Sequence, residues 1–171
     1  GYVLTELEQQ NLRDYWGDRE SLKRTVQSYK DRRRDFENEV ATAKDLSGHK
    51  FFHRASMDYR GRVYLSSEFS YQASDFCRAV IEFADGEPLD EDAKIYLFQH
   101  VENKRGSSKS VHEKRMHIGN SPGQLEELMA IATDPAHLFD KWRDTEKPYG
   151  FLRACLEVRD AMVIPALRGF K

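Results

Sequence analysis

Residues 54–64 read RASMDYRGRVY, a short stretch that crowds together Arg54, Arg60 and Arg62, Tyr59 and Tyr64, Asp58 and Gly61. It stands where the hydrophobic period of the chain changes. From Asp18 to Leu46, Leu22, Val26, Tyr29, Arg33, Phe36, Val40 and Ala43 recur at spacings of four and three, the period of a helix. Ser47 and Gly48 stop it. At about 1.5 Å per residue that helix would run about 43 Å, longer than a small core is wide, so it is expected to project. After Gly48, the aromatic and β-branched segments FFHRASMDY and RVYLSSEFSY read as short strands around a turn at Gly61.

Beyond the stretch the helical period returns. One helix is expected over residues 75–84, ended by Asp85 and Gly86, and another over residues 90–103. KRGSSK, residues 104–109, reads as a flexible basic loop. Ser121, Pro122 and Gln124 supply an N-cap, a first-turn proline and a capping-box partner for a helix through Ala132. Asp134 and Pro135 open the next by the same device, and Pro148 to Met162 forms the last. The order predicts a mainly α fold with a minor β element.

With 171 residues the chain can bury one core, as a single domain or two close subdomains. No apolar run approaches the roughly 20 residues of a membrane span, so no membrane insertion is expected. The start, GYVLTELEQQ, lacks the basic-then-apolar order of a signal peptide and begins with Gly. Cys77 and Cys155 have no CxxC spacing and read as reduced core thiols of a cytoplasmic protein. The histidines lack metal-ligand spacing, and His112 and His117, five apart, fall on different helix faces, so no metal site is expected. The net charge of −2 does not resemble that of a basic nucleic-acid binder, but the charge is unevenly spread. Lys50, Arg54, Arg60 and Arg62 oppose only Asp58; Lys104, Arg105, Lys109, Lys114 and Arg115 oppose only Glu113. Residues 82–92 carry six acidic side chains and no basic one. The run Lys30, Asp31, Arg32, Arg33, Arg34 interrupts the seam of the long helix. It reads as a solvated face, or as a basic strip laid along a nucleic-acid backbone.

If residues 60–62 are extended, alternation puts Arg60 and Arg62 on one face, and Gly61 leaves room between them for a polyanion. Two guanidinium forks would then address phosphates. Tyr59 and Tyr64 offer flat faces for base stacking, typically worth about 1–3 kcal/mol per base. Asp58 would orient an arginine or accept from a sugar hydroxyl or a backbone N–H. A plainer reading fits the same residues. A β-turn with surface arginines, Asp58 paired to Arg60 or Arg62 and half-buried tyrosines, would add about 0–1 kcal/mol per ion pair and imply no ligand.

MDYRGRVY, residues 57–64, resembles the DxxGR signature of the single-subunit, phage-type RNA polymerases. Four further segments resemble the same family in order: FENEVATAKDLSGHK at the close of its thumb, SDFCRAVIEFADGEPL in its palm, GSSK at residues 106–109, and PYGFLRACLE at residues 148–157. The resemblance covers roughly residues 36–157. It implies part of a right-hand polymerase fold, with thumb helices in residues 1–48 and the N-terminal part of the palm in residues 49–171. It implies that Asp58, Tyr59, Arg60, Gly61, Arg62 and Tyr64 grip template DNA beside the RNA–DNA hybrid, Tyr59 standing where the family often has tryptophan. Arg78 falls where the family turns a basic residue to nucleic acid, and Lys109 where it has a lysine near nascent RNA.

The family's chemistry resembles two-metal catalysis, with two aspartates holding Mg²⁺. Those aspartates belong to motifs downstream of the matched segments. The expectation is therefore a chain with no catalytic residue of its own, inactive alone: the N-terminal part of a split polymerase whose partner chain supplies the aspartates and Mg²⁺, or else a fragment of a longer polymerase. The apolar side of the last helix and AMVIPAL, residues 161–167, are expected to need that partner for burial. DNA template and nascent RNA are the implied ligands, a single-stranded-DNA-binding protein an implied accessory, and a phage-infected bacterial cytoplasm the implied setting. A non-enzymatic single-stranded nucleic-acid-binding module and a helical scaffold protein are the alternatives.

Overall fold

The computed structural model describes residues 4–16, 19–85 and 90–163. Among these residues helices dominate, with one two-stranded antiparallel sheet, as the sequence predicts. The chain divides into two compact units, Gly1–His49 and Lys50–Lys171.

The first unit holds α1 (Glu6–Trp16) and α2 (Arg19–Leu46). Thr5 and Glu8 form a reciprocal capping box at the start of α1: the Thr5 N–H donates to Glu8 Oε2 at 2.8 Å and the Glu8 N–H to Thr5 Oγ1 at 3.3 Å. Gly48, at φ +77°, ends α2 in the left-handed region that glycine adopts without penalty. No described side chain of α2 is fully buried: Leu22, Val26, Val40 and Ala43 are half-buried, and Tyr29 and Phe36 are exposed. The basic run is partly neutralised along the helix itself, by Arg33–Glu37 at 2.8 Å and Arg34–Asp31 at 3.1 Å.

The second unit begins with β1 (Ala55–Met57) and β2 (Val63–Leu65), paired Ala55 to Leu65, Ser56 to Tyr64 and Met57 to Val63. Then follow α3 (Asp75–Val80), α4 (Glu91–Arg105), α5 (Val111–His117), α6 (Pro122–Thr133), α7 (Phe139–Trp142) and α8 (Pro148–Val163). The core forms around α8. Phe151, Ala154, Cys155, Val158 and Ala161 are all buried, and α3, α4 and α6 pack along the helix. Phe98 and Val101 of α4, Ile118, and Leu128, Ile131 and Ala132 of α6 complete the cluster. The apolar side of the last helix is therefore buried by this chain's own helices, contrary to the expectation that a partner must cover it. Residues 164–167 of AMVIPAL, and the Gly-x-Pro at 86–88, lie outside the described residues. Burial drives the Cys155 thiol up to about 12, which makes it an inert packing group.

Other boundaries moved for identifiable reasons. α3 stops at Val80 rather than residue 84, because Ile81 turns extended and donates its N–H back to the Cys77 carbonyl. This leaves Glu82 free to pair with Arg153 of α8. Ser121 makes no side-chain cap, and the Gln124 amide instead accepts from Arg105 Nη1 at 2.7 Å. Lys104 and Arg105 belong to α4, which Gly106 ends at φ +84°. The α5 helix, not foreseen, is announced by a capping box, Ser110 with Glu113.

A tertiary cap joins α3 to α8. Asp75 Oδ2 accepts the Tyr149 and Gly150 N–H groups at 2.9 and 3.1 Å, placing a carboxylate on the positive end of α8. Gly150 makes the approach possible, since a Cβ there would stand 3.0 Å from both Asp75 Oδ1 and Lys104 Cδ. Asp75→Ala is expected to lower stability by about 1–2 kcal/mol and Asp75→Asn by less, because the amide oxygen still accepts. Urea denaturation of the three proteins checks this ordering.

Candidate nucleic-acid interface

The hairpin between β1 and β2 is organised by one side chain. Asp58 Oδ1 accepts the backbone N–H groups of Arg60 and Arg62, each at 2.9 Å. Its Oδ2 takes Arg62 Nε and Nη2, each at 2.9 Å, and the Tyr64 hydroxyl at 3.4 Å. The main chain closes the same loop: the Asp58 N–H donates to the Arg62 carbonyl and the Gly61 N–H to the Asp58 carbonyl. Gly61 sits at φ +78°, so this is a β-turn followed by a left-handed residue, a loop type that hairpins commonly use. The local sequence explains it: aspartate accepts from backbone N–H groups two and four residues on, and glycine tolerates the left-handed position.

Residues 60–62 are therefore a turn and not a strand, so alternation does not govern the two arginines. Each has its own aromatic partner. The Arg60 guanidinium stacks 5.1 Å from the Tyr59 ring centroid and donates to its hydroxyl at 2.8 Å. The Arg62 guanidinium lies 5.7 Å from the Tyr64 ring. The Arg62 N–H bond, ahead of those from the Arg62 guanidinium, the Arg60 N–H and the Tyr64 hydroxyl, holds the Asp58 carboxyl below its usual range against a smaller opposing effect of desolvation. Tyr59 is left 87% exposed, a planar ring held out from a clamped turn.

The base of the hairpin is anchored too. Gln72 brackets β2, accepting from the Leu65 N–H at 3.1 Å and donating to the Val63 carbonyl at 3.3 Å. Phe51, His53, Phe69 and Tyr71, in the segments flanking it in sequence, form a chain of edge-on and tilted ring contacts. Nothing in the local sequence marked Gln72, because its role depends on a chain reversal between β2 and α3.

Of the sequence-predicted residues, Asp58, Tyr59, Arg60, Gly61, Arg62 and Tyr64 share this one hairpin. Arg78 lies on the exposed side of α3, between buried Cys77 and Ala79, with Nε 3.3 Å from the Ser74 carbonyl. Lys109 lies in the α4–α5 corner, its Nζ 3.5 Å from a carboxylate oxygen of buried Glu102. Glu102 itself escaped notice, although Phe98, Val101, Glu102 and Arg105 follow helical spacing and put a charge on the apolar stripe.

The lowered Asp58 ionisation gives a signed prediction. The clamp stabilises the hairpin above the ordinary carboxylate value of 3.8 and is lost as pH falls through the lowered one. The Arg60 and Arg62 amide resonances should titrate together with a midpoint below 3.8, and Asp58→Asn should abolish that titration. Gly61→Ala meets open space but a strained φ, and should destabilise by about 1 kcal/mol.

A family model described as DNA-dependent RNA polymerase matches residues 87–171. The mitochondrial DNA-directed RNA polymerase of Schizosaccharomyces pombe is 30% identical over 129 residues, 75% of this chain and 11% of that protein. The mouse mitochondrial enzyme (Mus musculus) is 31% identical over 127 residues, 74% of this chain and 10% of that protein. A Nicotiana sylvestris polymerase named chloroplastic/mitochondrial is 26% identical over 160 residues, 92% of this chain and 16% of that protein. The chain thus spans between 10% and 16% of the length of these relatives. No helix among the described residues is long and apolar enough to cross a membrane. The family model over the α4–α8 region and these relatives across most of the chain agree: the chain belongs to the single-subunit, phage-type family of DNA-dependent RNA polymerases.

Proposed function

We propose that this chain supplies the thumb helices, residues 1–48, and the N-terminal part of the palm, residues 49–171, of a DNA-dependent RNA polymerase. In this reading its hairpin grips template DNA and the RNA–DNA hybrid. The supporting observation is the Asp58 clamp, in which five donor groups on three residues converge on one carboxylate. A loop fixed in this way presents Tyr59 and Arg60 with little conformational entropy left to lose on binding. Tyr59 stacks on a base or ribose edge, and Arg60 and Arg62 meet the backbone phosphates. Arg78 and Lys109 add cations from α3 and the α4–α5 corner.

The metals belong elsewhere in this reading. Asp58 is saturated with N–H and O–H donors, Asp75 caps α8, and Glu102 faces cations. Among the described residues no group of three His, Cys, Asp or Glu side chains is arranged to hold a metal. These carboxylates do not fit Mg²⁺. In this reading the metal-binding aspartates come from another polymerase chain, on which the activity of this one depends. A phage-infected bacterial cytoplasm suits the phage-type resemblance, whereas the relatives' names place them in mitochondria and chloroplasts.

With the catalytic chain present and Mg²⁺ supplied, Arg62→Ala should leave the fold near intact and strongly reduce RNA extension on a template. Tyr59→Trp should be tolerated, and Tyr59→Ala should weaken hybrid retention by about 1–3 kcal/mol. Wild-type extension by Arg62→Ala would return the hairpin to a surface turn. Nucleic-acid binding without any dependence on a catalytic chain would favour a binding module instead. The net charge of −2 fits delivery of template by a single-stranded-DNA-binding protein. Tight promoter binding by the unaided enzyme at moderate salt would contradict that partner.

A further inference from the structure

Glu102 is fully buried near the end of α4, yet neither of its carboxylate oxygens has a hydrogen-bond partner among the described residues. Three cationic or potentially cationic groups surround it instead. Arg105 Nη1 stands 3.6 Å and His117 Nδ1 3.5 Å from Oε1, and Lys109 Nζ 3.5 Å from Oε2. These are ion-pair distances, longer than the about 2.7–2.9 Å of a charge-assisted hydrogen bond. The backbone is tied to the same residue, since the Gly106 and Ser107 N–H groups both donate to the Glu102 carbonyl.

The surrounding groups differ in how firmly they are held. Arg105 is fixed three further ways: to Gln124 at 2.7 Å, to Glu127 at 3.6 Å, and over the Phe151 ring at 5.2 Å. Glu127 is itself shared with Lys141 at 3.9 Å. His117 is the last residue of α5 and half-buried. Lys109 is the most exposed of the three, with 39% of its side chain open, on a flexible stem in a short corner. Its other acidic neighbour, Glu113, already accepts from the N–H and hydroxyl of Ser110.

We propose that Glu102 is an exchangeable internal counter-ion. It holds Lys109 at the α4–α5 corner and yields it to a backbone phosphate of bound nucleic acid, while Arg105 continues to cover the carboxylate. This inference rests on the reading that Lys109 faces nucleic acid. An uncovered buried carboxylate would be costly, and the anchored arginine is what makes the exchange feasible. Until the phosphate arrives, Lys109 is neutralised within the protein, so the corner attracts polyanions less than its lysine and arginine content implies. The corner is thus a phosphate site with a built-in competitor.

The test is binding of an RNA–DNA hybrid by the whole polymerase over a range of salt concentrations, with Glu102→Gln, Lys109→Ala and the double variant. Glu102→Gln should bind more tightly, and its salt dependence should steepen by up to about one phosphate contact relative to wild type. In a Lys109→Ala background, Glu102→Gln should no longer change either quantity. Glu102→Asp keeps the charge but withdraws it by one methylene, and should give an intermediate slope even if Glu102→Gln fails to fold. Equal slopes for wild type and both Glu102 variants, or a difference that survives Lys109→Ala, would overturn the exchange. Hybrid binding by no variant, wild type included, would overturn the proposed function and this inference together.

Discussion

The helical part of the second unit depends on the burial of α8. Its apolar face meets α4, α6 and α3 at once, and fully burying a side chain such as Phe151 or Val158 stabilises by about 1.5–3 kcal/mol each. Polar contacts then set the register of the neighbours. Asp75 fixes α3 to the start of α8, Arg153 holds Glu82 just beyond α3, and Arg159 Nη1 donates to the Ala132 carbonyl near the end of α6 at 2.9 Å. Two of the candidate nucleic-acid residues are carried by this frame. Arg78 rides on α3, and Lys109 is held through the C-terminal end of α4.

The hairpin is held differently. Its strands are three residues each and its side chains largely exposed, so little apolar burial supports it. Hydrogen bonds to one ionised carboxylate, a left-handed glycine and a glutamine bracketing β2 take over that role. Such a loop keeps its shape without hiding its surface. This is the combination a contact with a polyanion needs, because rigidity lowers the entropy lost on binding while exposure leaves the rings and guanidinium groups accessible.

Much of this was legible in the sequence, and the failures are instructive. The four-three spacing of Leu22 to Ala43 marks α2 to within one residue, and MDYRGRVY marks the turn and a resemblance to the same family that the comparisons show. The pairing of Asp58 with an arginine was foreseen, but not which arginine. Strand alternation was extended through a glycine whose φ of +78° ends it. Ser110 and Glu113 carry a capping-box spacing that the structure realises, whereas at Ser121 and Gln124 the same spacing gives way to Arg105. Partners distant in sequence, Asp75 with the α8 N-terminus and Gln72 with β2, have no local signature. The apolar face of α8 looked in need of a second chain because spacing shows that a face is apolar, not what covers it.

The central claim is that the Asp58-clamped hairpin touches the nucleic acid while RNA is being made. The most direct measurement is to halt the intact polymerase during extension on a template carrying a photoreactive base near the growing end, irradiate, and map the adduct by mass spectrometry. The account predicts crosslinks within residues 54–65, centred on Tyr59 and lost in Tyr59→Ala. Extension-competent complexes that crosslink efficiently to other segments and never to this one would contradict it.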